Sequence, residues 1–361
     1  MDVTDKFYEL IRLSVDSSYD MPDSISQAEW PLIYEMAEKQ SLSGILYRGV
    51  MRLTGAKMPP EKLREQWFVR CCACDVTNHK AYKAVADICK WINDEGYRCC
   101  VLKGQGNALM YPDPCLRNVG DIDLWIEGGY KNVLKFARKH CNKNEFCYHH
   151  IEFNDFQGFP VEIHYRPSFI NNMIGNRYLQ HYFSMHSDEQ FSNYKELPDN
   201  LGSVCVPTAS FNRIFQLTHI VRHFFQGGIG MRQMMDYYFV LKQGFTIQER
   251  DRDVKLIRRM GLYNITRSVM YVEQKVLGLD SKYLLVPPDA DKGSKLLSEI
   301  IRVGNFGHFD KKILQYRNAS KATRGVRHLY RNASFMFKYP SECFWEPIFR
   351  LYHFFWRKVN T

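Results

Sequence analysis

The chain has 361 residues, 45% of them hydrophobic and 24% charged, with a net charge of +10. That length allows two or three packed domains, and that composition excludes global disorder and a fibrous or low-complexity chain. No window approaches the ~18 uninterrupted apolar residues of a membrane helix, and the start, MDVTDKFYEL, has no basic-then-apolar signal region, so a cytoplasmic location and no transmembrane segment are expected.

The eleven cysteines are an odd number and include the adjacent pairs Cys71–Cys72 and Cys99–Cys100, a poor disulfide framework, so reduced thiols are expected. Between Lys311 and Thr361 eleven Lys/Arg face only Glu342 and Glu346, so this basic tail carries +9 of the +10. Such a local field attracts nucleotides, nucleic acid or acidic lipid, and it is also the charge of many solvated helix faces.

Residues 4–95 read as helices over Asp5–Val15, Ala28–Leu53 and Glu61–Glu95, the last broken near Asn78, with Gly96 as its stop. Tyr97–Leu102 has strand character and runs into the turn Lys103-Gly104-Gln105-Gly106, followed by a helical stretch, Asn107–Met110. Asp121–Glu127 (DIDLWIE) alternates with period two, as a strand with one wet face does. Lys131–Asn142 is helical, and Phe146–Phe153 and Phe159–Tyr165 read as two strands joined by the polar turn Asn154–Gly158. From Thr208 the pattern is helical to the end, with breaks at Gly227-Gly228, Pro287-Pro288 and Pro340. The fold class is α+β: a small mixed-sheet core at 96–170 flanked by an N-terminal helical region, 1–95, and a C-terminal helical region with the basic tail, 171–361.

Asp121 and Asp123 are two apart on a strand and therefore project to one face. Two like charges so close repel unless a cation neutralises them, and oxygen-rich pairs of this kind suit Mg²⁺. Spacing alone is common, and a solvated strand face explains it equally. Upstream, the glycines of the 103–106 turn let a backbone approach a phosphate, and amides opening a helix donate to anions. Downstream, Val161-Glu162-Ile163-His164 places Glu162 and His164 on one polar face. A third carboxylate on a neighbouring strand completes a set able to hold two metals and activate a hydroxyl.

Taken together, strand, glycine turn, Asp-x-Asp strand and Glu strand resemble the nucleotidyltransferase fold of the DNA polymerase beta superfamily. The chain is most similar to a bacterial family of uncharacterised nucleotidyltransferases, through Leu102-Lys103-Gly104, Leu109-Met110-Tyr111-Pro112-Asp113-Pro114, Arg117, Gly120-Asp121-Ile122-Asp123-Leu124 and Val161-Glu162-Ile163-His164-Tyr165. His219-x-x-x-His223-Phe224 and Gly228-Ile229-Gly230-Met231-Arg232-Gln233, leading to Asp236, also look like this family, and the resemblance covers residues 30–345. The superfamily's usual glycine-serine pair reads Gly104-Gln105 here.

The resemblance implies transfer of a nucleoside monophosphate from an NTP, with ATP the first candidate, to a hydroxyl of a small molecule, sugar, protein or RNA, releasing pyrophosphate under Mg²⁺ control, with Mn²⁺ as an alternative. Asp121 and Asp123 would hold the metals, and Glu162 would be the third ligand or the base. Gly104 and the amides of Gln105 and Gly106 would hold phosphates, with Lys103 as a point charge. Arg117 either reaches a phosphate or pairs with carboxylates. Arg232 and Asp236 have the spacing of a helical ion pair, and their motif also allows a nucleotide-facing role. Competing readings are a catalytically silent nucleotide-binding or protein-interaction module on the same fold, and an RNA-binding protein using the basic tail.

His219 and His223 share a helix face but lack a HExxH glutamate, which favours packing or hydrogen bonding over zinc. Cys71 and Cys74 form a lone C-x-x-C in a helix, a packing pattern. The aromatics of Phe335–Trp356 are read first as packing, and second as a surface for bases or lipid.

Overall fold

The computed structural model describes residues 2–22, 24–141, 146–305, 323 and 329–360. Of the basic stretch from Lys311, residues 311–322 and 324–328 lie outside the described residues, as do Thr361 and Asn142.

Helix α1 (Val3–Val15) begins where the Asp2 carboxylate accepts from the Asp5 amide at 2.8 Å. The single helix expected over 28–53 is two, α2 (Trp30–Lys39) and α3 (Ser43–Val50). Ser41 takes a positive φ of 55° between them, which turns the chain so that both apolar faces reach one core. Helix α4 (Glu61–Asp94) is longer and more regular than expected, running unbroken through Asn78. The Asn78 Nδ2 donates to the Cys74 carbonyl one turn back and also outward to the carbonyls of Cys115 (2.6 Å) and Arg117 (2.9 Å). A residue that reads as a helix breaker therefore serves as a tether for a distant loop.

The central sheet comprises β1 (Cys99–Val101), β2 (Ile122–Ile126), β3 (His150–Glu152) and β4 (Val161–His164) in the order β1-β2-β4-β3. The β1–β2 and β3–β4 pairs are antiparallel and β2–β4 is parallel, so the sheet is mixed. Helix α5 (Gln105–Ala108) follows β1, and α6 (Gly129–His140) follows β2. Every residue of β2 is buried, so its alternation does not mark a wet face. Trp125, on the same face as Asp123, lies beneath Phe191 and Phe211, with ring centroids at 4.6 and 5.7 Å. At Trp125 this face is covered by aromatic rings from later in the chain, whereas at Asp121 and Asp123 it borders a cavity.

After the sheet come α7 (Met173–Met185), α8 (Ser187–Gln190) and a hairpin the sequence did not reveal, β5 (Tyr194–Glu196) with β6 (Ser203–Cys205). The remaining helices are α9 (Ala209–Gln226), α10 (Met231–Lys242), α11 (Ile247–Arg259), α12 (Tyr263–Leu277), α13 (Ala290–Val303) and α14 (Pro340–Asn360). The α+β class holds: a small mixed sheet among helices. No described helix is long and apolar enough to cross a membrane.

Two cores result. The larger joins α1–α3 and the first half of α4 to α9, α10, α12 and α13, so both ends of the chain share it. The second packs Ala81, Val85, Ile88 and Ile92 of α4 against the sheet and α6. All eleven cysteines are free thiols, as their pairing pattern predicts. The tail aromatics divide: Phe335, Tyr339 and Phe349 are buried, whereas Phe337, Phe344 and Phe355 are exposed, so packing explains only one face of α14.

Glu273 of α12 is fully buried, neither carboxyl oxygen has a partner, and burial alone raises its pKa well above the usual range. The folded state therefore keeps a proton that the unfolded state releases, so stability is highest below the unfolded pKa and falls as pH rises towards the folded one, by about 1.4 kcal/mol per pH unit. Glu273→Met, of similar length, is expected to be more stable by about 1–4 kcal/mol at pH 7, the gap narrowing at pH 5. Urea melts at both pH values check this, and a gap independent of pH would contradict it.

Candidate active site

The site is built on the polar face of the sheet. Parallel pairing sets Asp123 of β2 directly beside Glu162 of β4. Strand alternation then puts Asp121, two residues before Asp123, and His164, two after Glu162, on the same side. Asp123 Oδ1 lies 2.6 Å from Lys103 Nζ and 2.9 Å from His164 Nε2. Glu162 Oε2 lies 3.3 Å from both His164 Nε2 and His150 Nδ1. One ligand atom from each of Asp123, Glu162 and His164 falls within 4.8 Å of the others, and Asp121 stands outside that tight group. Asp121, Asp123 and Glu162 form part of the wall of a cavity of about 900 Å³.

The glycine turn is asymmetric. Gly104 adopts φ 56°, ψ −116°, a backbone that side chains rarely tolerate, and a Cβ there would sit 3.2 Å from the Asp121 carbonyl. Lys103 and Gly104 line the cavity. Gln105 and Gly106, whose amides are expected to hold phosphate, are both buried. Gln105 is buried with its amide 3.4 Å from Asn78 Oδ1, and a Cβ on Gly106 would meet the Val101 carbonyl at 2.7 Å. Gly106 is thus required for α5 to lie on β1. Lys103, expected beside a phosphate, reaches Asp123.

Charge is concentrated here. Asp121 is pushed up, first by Asp123 and then by burial, with Lys103 opposing. Burial works against ionised Glu162, but the His164 hydrogen bond and the fields of Lys103 and His150 hold its carboxyl well below the usual range. Burial likewise opposes a charge on His164, and Asp123 and Glu162 overcome it and raise its pKa. His150 goes the other way, down to about 3, mainly through burial. Lys103, with a His164 more basic than a free imidazole beside it, therefore faces three crowded carboxylates.

The opposite wall comes from distant sequence. Helix α9 supplies His219, Arg222 and His223, and α14 supplies Phe349, Arg350 and His353. Arg117 and Arg232 also line the cavity. Arg117 gives Nε and Nη2 to the two oxygens of Asp236, both at 2.8 Å, and Tyr111 donates to the same carboxylate at 2.7 Å. Asp236 is thus claimed by Arg117, not held in the helical pair with Arg232 that its spacing suggests. Arg232 donates to the Asn118 carbonyl at 3.0 Å. Arg222, His149 and His150 escaped the sequence reading as site residues. The local signals were the adjacent His149-His150 and an arginine three residues after His219, on the same helix face.

Residues 26–278, more than half of the chain, match the profile of the family described as uncharacterised nucleotidyltransferase. The chain belongs to that family. A solved structure, an antigenic nucleotidyltransferase-like protein from Paracoccidioides brasiliensis, aligns with a TM-score of 0.36 and 13% identity over 58% of this chain and 95% of that one. No curated protein matches. For this nucleotidyltransferase-family chain, the donor set fits a divalent cation. Three carboxylates meet at the cavity, and the crowding of Asp121 by Asp123 is the excess charge such an ion relieves. The nitrogen of His164 is tolerated better by Mn²⁺ than by Mg²⁺. Lys103 pairs with the same Asp123 oxygen that His164 contacts.

Proposed function

We propose that the chain is a divalent-metal-dependent nucleotidyltransferase that moves a nucleoside monophosphate from an NTP, ATP first, to an acceptor hydroxyl. The observation that carries this reading is the parallel register of Asp123 and Glu162, with Asp121 beside them at one cavity. A metal held by Asp121, Asp123 and Glu162, Mg²⁺ or Mn²⁺, supplies charge neutralisation along the triphosphate. The acceptor oxygen bonds to the α-phosphorus, and the bond from that phosphorus to the oxygen bridging to the β-phosphate breaks, its electron pair leaving with pyrophosphate. The hydroxyl proton passes to a carboxylate oxygen of this set at the cavity wall. Glu162, whose proton affinity is lowered, suits ion binding better than base catalysis. Gly104 leaves room for a phosphate against the turn, and Arg117 and Arg232 border the same space.

The test is incubation with each labelled NTP and Mg²⁺ or Mn²⁺ in a metabolite extract, following pyrophosphate and nucleotide mass added to metabolites or to the protein itself. Release of pyrophosphate with a matching mass gain is expected. A second reading, a silent nucleotide-binding module, is favoured by one observation: Lys103 and His164 already occupy Asp123. Nucleotide binding without pyrophosphate release, unchanged by Glu162→Gln, would select it.

A further inference from the structure

Arg222 is a buried cation without an anion. It is 6% exposed on α9, and no carboxylate lies within ion-pair distance among the described residues. The contrast is with Arg117 and Arg213, which meet Asp236 and Asp253 at 2.8 Å. Its guanidinium instead gives Nη1 to His149 Nε2, and Nη2 to His219 Nδ1 at 3.4 Å and His223 Nε2 at 3.0 Å, while Nε has no partner. Three of the five N–H groups of a guanidinium are thus used, all on imidazoles. Burial and neighbouring cations push His149, His219 and His223 well below the ordinary histidine range, so they accept as neutral rings and bring no negative charge. Since a desolvated charge is costly without a counterion, a guanidinium on a cavity wall, in contact only with neutral rings and the Phe169 face at 5.5 Å and feeling Glu162 and Asp123 only at longer range, is arranged for an anion.

Sheet order says which anion. Lys103 and Gly104 follow β1, at one edge; Asp123 is on β2 and Glu162 on β4; His150 is on β3, at the other edge, where it touches His149, the partner of Arg222. The strands carrying the carboxylates therefore lie between β1, which leads into the glycine turn, and β3, whose His150 touches the partner of Arg222. If the nucleotide's phosphates lie along the turn and the ion, Arg222 borders the acceptor's half of the cavity. The 900 Å³ volume is at the large end of the ~300–1,000 Å³ of ligand pockets and leaves space for a second small molecule.

We propose that Arg222, backed by His149, His219 and His223, binds an oxyanion of the acceptor, and that the acceptor is a small hydroxyl compound bearing a phosphate or carboxylate. This rests on the nucleotidyl-transfer reading for the word acceptor, but not for the anion site. Planar N–H donors grip a tetrahedral or planar oxyanion with fixed geometry, which a lysine ammonium does not reproduce.

Calorimetry with inorganic phosphate, and separately acetate, tests it on the full chain saturated with Mg²⁺ and the non-transferable analogue α,β-methylene-ATP. Phosphate or acetate is expected to bind this complex, with affinity falling by about tenfold to a hundredfold in Arg222→Gln and less in Arg222→Lys, while analogue affinity stays unchanged. Equal anion affinity in all three proteins would overturn the proposal. So would anion binding abolished by the analogue together with weaker analogue binding in Arg222→Gln, which assigns the arginine to the triphosphate. Should Arg222→Gln unfold, the Lys variant and the melting temperature of the unaltered protein decide, and no rise with either anion overturns the site. If the anion binds at Arg222 but no NTP is ever consumed, the transfer reading fails and the anion site stands.

Discussion

Asp123→Asn is expected to reduce pyrophosphate release by about a hundredfold to a thousandfold or more, the scale of losing one essential electrostatic group. The substitution keeps the shape and removes the charge on which the site is organised. Asp123 is 1% exposed, and one of its oxygens serves both Lys103 and His164. Without it a nearly buried ammonium loses its closest counter-charge, and breaking a buried pair on one side costs about 3–5 kcal/mol. The same change is therefore expected to lower the melting temperature, so turnover must be measured well below the variant's own transition. Removal of Asp123 should also lower the proton affinity of His164, which Asp123 and Glu162 raise together. Its imidazole resonances should titrate at lower pH than in the parent protein. Undiminished turnover in a folded Asp123→Asn protein would end the enzymatic reading. Loss of turnover with the His164 titration unchanged would break the link drawn between these side chains.

Arg117→Ala is expected to destabilise the protein by about 3–5 kcal/mol, because it leaves the Asp236 carboxylate buried with only the Tyr111 hydroxyl. Burial works against both charges, and each keeps the other ionised. The pair joins the segment before β2, whose Arg117 carbonyl is also held by Asn78, to helix α10. Loosening it should misplace Asp121, four residues on, and lower activity as a consequence. The double replacement Arg117→Met with Asp236→Leu removes both charges at once and is expected to recover most of the lost stability. Urea melts of the single and double variants decide the matter. Should Arg117→Ala melt like the parent and yet lose nucleotide affinity, the arginine would be a phosphate ligand, the other reading its position allows.

Much of the sheet was legible because its signals are local. The alternation in DIDLWIE and VEIH and the glycines after Leu102 mark strands and a turn in the proper order. The errors have physical causes. The helix expected over 28–53 divides because Ser41 adopts a left-handed backbone, which residue type does not announce. Asn78 fails to break α4 because its amide finds carbonyls from 37 and 39 residues further along the chain. The β5–β6 hairpin went unread because its strands are three residues each, and Tyr194–Glu196 is exposed throughout and carries no periodic signal.

The residue types and their local spacing determined the α+β class, the reduced cysteines, the carboxylates at 121, 123 and 162, and the family those motifs resemble. Tertiary structure alone decided that Glu162 sits beside Asp123, that Arg117 rather than Arg232 holds Asp236 between its two guanidinium nitrogens, that the aspartates border a cavity walled by later helices, and that Arg222 enters the same cavity. The reason is range: strand alternation and turn chemistry act over a few residues and are written in the order of the chain. A buried charge is satisfied by whichever group packing brings within about 3 Å, and here that group is a strand histidine 41 residues along for Asp123 and a helix aspartate 119 residues along for Arg117.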